Sequence, residues 1–342
     1  MYNFVYAAIG KMCYLYETIY SIYSLQKVLN HNNFRIVIYT DNERFFQEYY
    51  EENEKIDICP LSSGLTSLWL KSNVFGVKIY VLQEFLKQYR SNALFIDTDT
   101  FIYKDISDVF QSIQKDTFIM YRECTPLAAA TSILQELKNK LLNTNETTLH
   151  FYQYLLKEKQ LHCGKYCFTY PENFIPFNSG VIGIHYDNLD CLEQVSVLND
   201  FIYNQFGLIN AEEFAFATVF QQYGNIVTGD LQNKVYHYTK FYEHTRLFGA
   251  YILGCITPED AKILGTVMCE YNIDISRYDV EIKEIEKFTL YMYAISQSNQ
   301  TKYRQKGIMD EREKEIQRSY YPTDRLANYG LFFRKYIKME LM

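Results

Sequence analysis

The run Ala93-Leu94-Phe95-Ile96 sets four apolar residues in front of Asp97 and Asp99, and a further apolar stretch, Phe101-Ile102-Tyr103, follows. A short apolar run bounded by polar turn residues reads as a strand buried on both faces, as in a parallel sheet. Ligands of open α/β sheets gather at the carboxyl ends of the strands, and the two acids fall at such an end. Neighbouring like charges repel, and desolvation penalises both. An Asp pair closing a turn would satisfy the pattern. A divalent cation would also satisfy it, because carboxylate oxygens suit Mg²⁺ or Mn²⁺, ions that keep room for waters and substrate phosphates.

The surrounding pattern supports an α/β sheet. Asn3 to Ile9 is apolar, ends at Gly10 and reads as a first strand. Leu15, Ile19, Ile22, Leu25 and Leu29 then share one helical face. Arg35 to Tyr39 is a second buried strand, closed by the turn Thr40-Asp41-Asn42. Strand, helix and strand of these lengths make a βαβ unit. Ile56 to Pro60 is a short third strand, and Ser62 to Asn73 is loop-like and carries Trp69. Before the acids, Phe75, Ile79, Leu82, Leu86 and Tyr89 form one stripe at helical spacing. Lys78 sits at its edge, where a lysine either snorkels to water or meets an anion. Phe118 to Tyr121 is another strand, and residues 131 to 160 read as helices. From Thr257-Pro258-Glu259-Asp260, an N-cap with Pro at the first helical position, the chain turns helical and charged. The expected division is a domain over 1–245 and a helical region over 246–342 for acceptor, oligomer or membrane contacts.

Composition excludes several classes. With 342 residues, 48% of them apolar, there is ample material for a core. No run of eighteen apolar residues occurs, so no transmembrane helix is expected. The N-terminus reads as a strand rather than a signal peptide, which makes reduced cysteines in a cytoplasmic setting the default for the eight present. A formal charge of −7 argues against nucleic acid as a partner. At the C-terminus Phe332, Phe333, Tyr336 and Ile337 oppose Arg334, Lys335 and Lys338 on a helix. Such a helix docks on the catalytic domain or makes peripheral contact with an anionic membrane.

Three later stretches could join the two acids. In Pro176-Phe177-Asn178-Ser179-Gly180-Val181, small polar side chains in a turn feed a buried strand whose glycine lets a backbone or ligand approach closely. In Ala211-Glu212-Glu213-Phe214, paired acids open an apolar helix. They favour its dipole, and because adjacent residues point in different directions one can face a cleft. In Lys234 to Lys240, a short strand ends in His237, Tyr238 and Thr239, and His is the commonest nitrogen donor to metals. The thiols of Cys163 and Cys167, four residues apart, lack two further ligands for a closed zinc site and read as ordinary loop thiols.

Taken in order, these residues resemble the metal-dependent nucleotide-sugar glycosyltransferases, and among them family 8, the glycogenin-like and galactosyltransferase-like group. The resemblance rests on Phe95-Ile96-Asp97-Thr98-Asp99-Thr100 with Ile106-x-Asp108-x-Phe110, on Phe177-Asn178-Ser179-Gly180-Val181, and on His237-Tyr238-Thr239. It spans roughly residues 3 to 240. It implies a GT-A fold, a Rossmann-like mixed sheet with flanking helices, carrying nucleotide over its first half and acceptor over its second. It further implies that Asp97, Asp99 and His237 hold Mn²⁺ (or Mg²⁺), mixed oxygen and nitrogen ligation favouring Mn²⁺. On the same basis Tyr6, Ala7, Ala8 and Asp41 border the nucleotide, and Lys78, Asp97, Thr98, Asp99 and Lys240 serve the diphosphate. Asn178 and Ser179 line the donor sugar, and Glu212 or Glu213 supplies an acidic sugar contact. Asn178, Glu212 and Glu213 are therefore the candidate catalytic residues. The chain departs from the family after His237, where it reads Lys240-Phe241-Tyr242-Glu243-His244 in place of Gly, Lys, Pro and Trp.

The implied reaction moves a hexose from a UDP-sugar to a glycan or lipid-linked acceptor with retention. The sequence names no nucleophile. Two rivals stand beside it. A sugar nucleotidyltransferase would want a glycine- and arginine-rich loop after strand one, which Ile9-Gly10-Lys11-Met12 does not supply. A catalytically silent nucleotide-sugar-binding scaffold would not need Asp97, Asp99 and His237 intact.

Overall fold

A computed structural model describes residues 1–10, 12–50, 53–61, 74–102, 104–139 and 145–237. The chain forms two units, Met1–Gly10 with Leu25–His237 and Lys11–Ser24 with Tyr238–Met342. The division expected near residue 245, Trp69, Lys240 and the whole helical C-terminal region lie outside the described residues.

The first unit is built on a seven-stranded sheet. Its strands are β1 (Tyr2–Ala8), β2 (Phe34–Thr40), β3 (Ile56–Pro60), β4 (Ala93–Ile96), β6 (Thr117–Glu123), β9 (Phe177–Ile184) and β10 (Asn225–Val227), in the order β10-β6-β9-β4-β1-β2-β3. Pairs β1/β2, β1/β4, β2/β3 and β10/β6 are parallel. β9 runs antiparallel between β4 and β6. The sheet is thus mixed, as the resemblance implies, and β4 is parallel to β1 and antiparallel to β9. A second ribbon pairs β5 (Thr100–Ile102) antiparallel with β11 (Val235–His237), and a hairpin joins β7 (Gln160–Cys163) to β8 (Tyr166–Thr169).

The helices follow from spacing and capping. α1 (Met12–Val28) buries Leu15, Ile19, Ile22 and Leu25. The stripe before the acids becomes α3 (Val77–Tyr89), after α2 (Glu43–Tyr50). Its buried face is Ile79, Val81, Leu82, Phe85 and Leu86, and each such side chain removed from water contributes about 1.5–3 kcal/mol. Phe75, expected on that stripe, lies instead in a 3-10 turn, Val74–Gly76, and is 47% exposed. α4 (Ser107–Gln111), α5 (Leu127–Asn139), α6 (Glu146–Glu158), α7 (Leu189–Phe206) and α8 (Ala211–Tyr223) complete the set. Asn145 caps α6 by accepting from Thr148 N–H at 3.1 Å. Among the described residues no helix is long and apolar enough to cross a membrane. Cys59, Cys124, Cys163, Cys167 and Cys191 are free thiols, and Cys163 and Cys167 sit on the β7–β8 hairpin rather than in a loop.

Gly183 fixes how closely β9 and β6 approach. It pairs with Ile119, and a Cβ there would lie 2.5 Å from Ile119 Cγ1 and 2.6 Å from its Cβ. Both atoms are near the backbone and cannot swing away. Gly183→Ala should therefore cost about 1–3 kcal/mol by overpacking, read as a lower urea midpoint with an unchanged slope. A midpoint equal to wild type would show that this contact yields freely.

Candidate functional site

β1, β2 and β4 are parallel, so their carboxyl ends share one edge of the sheet. Because β9 is antiparallel to β4, its first residues reach the same edge. The β4/β9 ladder extends one step past Ile96, with Asp97 N–H donating to Gly180 O at 2.9 Å. The chain then turns, Thr100 Oγ1 donates back to Asp97 O at 2.9 Å, and β5 begins. Pairing of β5 with β11 sets His237 opposite Thr100. Asp99 and His237 thereby become neighbours although 138 residues separate them.

His237 Nε2 lies 3.1 Å from Asp99 Oδ1 and 3.7 Å from Asp97 Oδ2. One ligand-type atom from each of the three residues falls within 4.8 Å of the others. Adjacent ligands of an ion held at about 2.1 Å stand about 3 Å apart, so the spacing fits a small divalent cation. Burial pulls the His237 pKa down, but the Asp99 and Asp97 carboxylates outweigh it and the net shift is upward.

Lys78 does not snorkel. Its side chain is 5% exposed, and Nζ lies 3.1 Å from Asp97 and 3.7 Å from Glu212 Oε1. It also donates to Ser179 Oγ at 3.1 Å, and Ser179 Oγ donates to Glu212 Oε1 at 3.1 Å. Burial would strip its proton, but Asp97 and then Glu212 hold the pKa above the usual lysine value. Burial raises the Asp97 pKa, Lys78 and His237 pull it only part of the way back, and the net shift stays upward. Burial also pushes Glu212 up to about 7, against the pull of Lys78 and with Glu213 adding to the rise. Glu212 Oε2 is buried with no hydrogen-bond partner among the described residues.

The two acids of α8 do point apart. Glu212 is buried against Lys78 and Ser179, whereas Glu213 is partly exposed. Glu213 accepts from Asn178 Nδ2 at 2.7 Å and from Asn210 Nδ2 at 2.9 Å. Asn178 Oδ1 accepts from Gly180 N–H at 3.0 Å and faces His237 Nδ1 at 3.2 Å. Asn178 and Ser179 lie within β9 itself, not in a preceding turn as the sequence suggested. The antiparallel pairing with β6 begins at Phe177 and Asn178, which extends the strand.

Tyr6, Ala7 and Ala8 end β1, next to β4, and Asp41 follows β2, one strand further. The Tyr6 ring is wholly buried and Ala7 is partly exposed. Asp41 accepts Gly10 N–H through both oxygens, at 3.1 and 3.2 Å. Thr98, between the two acids, is partly exposed. Asp108 of the second motif pairs with Lys234 and so ties α4 to the start of β11.

Tyr121 was not singled out by sequence reasoning. Its hydroxyl donates to Val235 O at 3.0 Å and accepts His237 N–H at 3.4 Å, and its ring meets the imidazole edge-on at 5.5 Å. Its only signal in the sequence is a polar tip at the end of an apolar run. Asn210 was likewise missed, since its part is to support Glu213.

No family model matches the sequence, and no curated protein matches it. Similar solved structures do exist. One is the apo structure of the bifunctional glycosyltransferase WbbM, 11% identical with a TM-score of 0.48, covering 77% of this chain and 51% of that one. Against WbbM this chain therefore spans about half the length. Another is the galactosyltransferase LgtC in complex with donor and acceptor sugar analogues, 9% identical with a TM-score of 0.46, covering 77% and 95%. A third is mouse xyloside xylosyltransferase 1 in its apo form, 11% identical with a TM-score of 0.39, covering 66% and 84%.

Glu212 gives this site a pH signature. A carboxyl whose folded pKa is raised contributes most below its unfolded value, 4.5, and that contribution is lost as pH rises through about 7. In metal-free protein Glu212→Gln should therefore gain stability relative to wild type as pH rises from 5 to 8, measured by urea unfolding. A difference that stays flat over that range would place Glu212 as ionised throughout.

Proposed function

We propose that this chain is a metal-dependent glycosyltransferase of GT-A type, moving a hexose from a UDP-sugar to a glycan or glycolipid acceptor with retention. One observation carries the reading. Asp97, Asp99 and His237 converge at the carboxyl edge of the sheet, with the ammonium of Lys78 against Asp97.

In this reading Asp97, Asp99 and His237 hold Mn²⁺ or Mg²⁺, and the imidazole favours Mn²⁺. When bound, such an ion supplies Lewis-acid stabilisation of the negative charge that grows on the departing diphosphate. Lys78 counters part of the burial that raises the Asp97 pKa, holds Asp97 in place, and adds a fixed positive charge near the same position. Tyr6, Ala7, Ala8 and Asp41 border the nucleotide along the ends of β1 and β2. Asn178 and Glu213 form the partly exposed polar side facing the donor sugar. Ser179 and Glu212 are buried behind Lys78 and hold it. Thr98 lies between the metal-facing acids, and Lys240 serves the diphosphate. The residues after 245 serve the acceptor, or dock on a membrane surface.

The experiment is a panel of UDP-sugars screened by thermal shift with Mn²⁺, followed by hydrolysis assays on the hits. A ligand that binds the folded state raises the melting temperature by mass action. One donor should stabilise the protein only with metal, and Asp99→Asn should lower its turnover by ~10²-fold or more. Tight UDP binding with no turnover of any donor would favour the scaffold. Incorporation from a sugar 1-phosphate and UTP would favour the nucleotidyltransferase.

A further inference from the structure

We propose that Asn178 is a positioning residue that fixes the tautomer and ring orientation of His237, and that Glu213 and Gly180 in turn fix Asn178. The inference rests on the metal-centre reading above and deepens it.

Hydrogen-bond polarity sets the orientation of the Asn178 amide. Gly180 N–H can only donate, and it meets Asn178 Oδ1 at 3.0 Å. Glu213, as a carboxylate, only accepts, and it meets Asn178 Nδ2 at 2.7 Å. The amide is thereby oriented from both ends, and a flip would set donor against donor and acceptor against acceptor. Glu213 is held in turn, since its second oxygen accepts from Asn210 at 2.9 Å. The oxygen that Asn178 shows to His237 Nδ1, at 3.2 Å, is therefore an acceptor. Nδ1 must carry the proton, and with a cation bound between Nε2, Asp97 and Asp99 it is Nε2 that would offer its lone pair.

The ring is also placed by packing. A Cβ on residue 180 would fall 2.3 Å from Nδ1 and 2.5 Å from Cε1, so the imidazole occupies space that only glycine leaves open. Tyr121 closes the other side through its hydroxyl and its edge-on ring. Asn178 thus acts through His237, whatever further contact its amide makes with a sugar.

The test measures Mn²⁺ affinity of the full chain by electron paramagnetic resonance of free Mn²⁺. It also records the ring ¹⁵N shifts of His237 with Zn²⁺ as a diamagnetic probe. Partners of this kind typically set metal affinity by 10–100-fold, so Asn178→Ala should weaken Mn²⁺ binding by ~10-fold or more and blur the Nδ1–H signature. Asn178→Asp alone sets two carboxylates face to face and should weaken it too. Adding Glu213→Gln to Asn178→Asp reverses the polarity of that hydrogen bond while leaving an acceptor against Nδ1. The pair should recover most of the affinity and the Nδ1–H spectrum, a rescue that loss of folding alone would not produce. Wild-type affinity in Asn178→Ala, or a double variant no better than Asn178→Asp, overturns the proposal while the metal centre stands. A wild type that binds no Mn²⁺, or a His237→Gln variant that binds as well as wild type, overturns the metal-centre reading itself and this proposal with it.

Discussion

The contact between Lys78 and Asp97 joins the start of α3 to the end of β4, and the geometry of the edge is organised around it. An ammonium buried to this extent would lose its proton without anionic partners, and a carboxylate facing it would otherwise be driven to protonate. Asp97 keeps the ammonium charged, and Lys78 offsets part of the burial that pushes the Asp97 pKa up. Glu212 and Ser179 complete the enclosure, so the first turn of α3, the end of β4, the start of β9 and the first turn of α8 are locked into one network. Removing one partner from such a network leaves an uncompensated charge, which makes it a rigid floor for whatever binds above.

β9 allows that floor to be built. A parallel strand in its position would send Asn178, Ser179 and Gly180 to the far edge of the sheet. Running antiparallel, it delivers all three beside Asp97. The β5–β11 ribbon then adds His237 from the end of the unit. Carboxylates from two elements outnumber the single ammonium there, which is the charge imbalance that the proposed divalent ion would relieve.

Much of this was legible in the residues. The apolar runs gave β1, β2, β3, β4 and β6, and the stripe at helical spacing gave α3. The Asp-x-Asp at a strand end, the late histidine and the paired acids all came to one place. What failed to show was orientation. Nothing local says that β9 is antiparallel, because reversal changes neither hydrophobicity nor periodicity. Phase was lost at Phe75, which the spacing put on the helix and the 3-10 turn puts in solvent. Lys78 left two outcomes open because snorkelling and ion pairing look alike until the fold brings Asp97 and, 134 positions away, Glu212 against it. Tyr121 and Asn210 act through other side chains, and a linear pattern carries no trace of such indirect contacts.

The short β5–β11 ribbon also bears on when the centre can form. A nascent chain that has emerged only as far as β10 already displays both aspartates, yet His237, the nitrogen ligand of the proposed centre, has still to emerge. Closing so long a loop costs little more entropy than closing a moderate one, so the delay comes from synthesis rather than from thermodynamics. In the metal-centre reading, full-strength ion capture would therefore mark the maturity of the whole first unit, and fragments ending before His237 would present an oxygen-only site suited to harder cations.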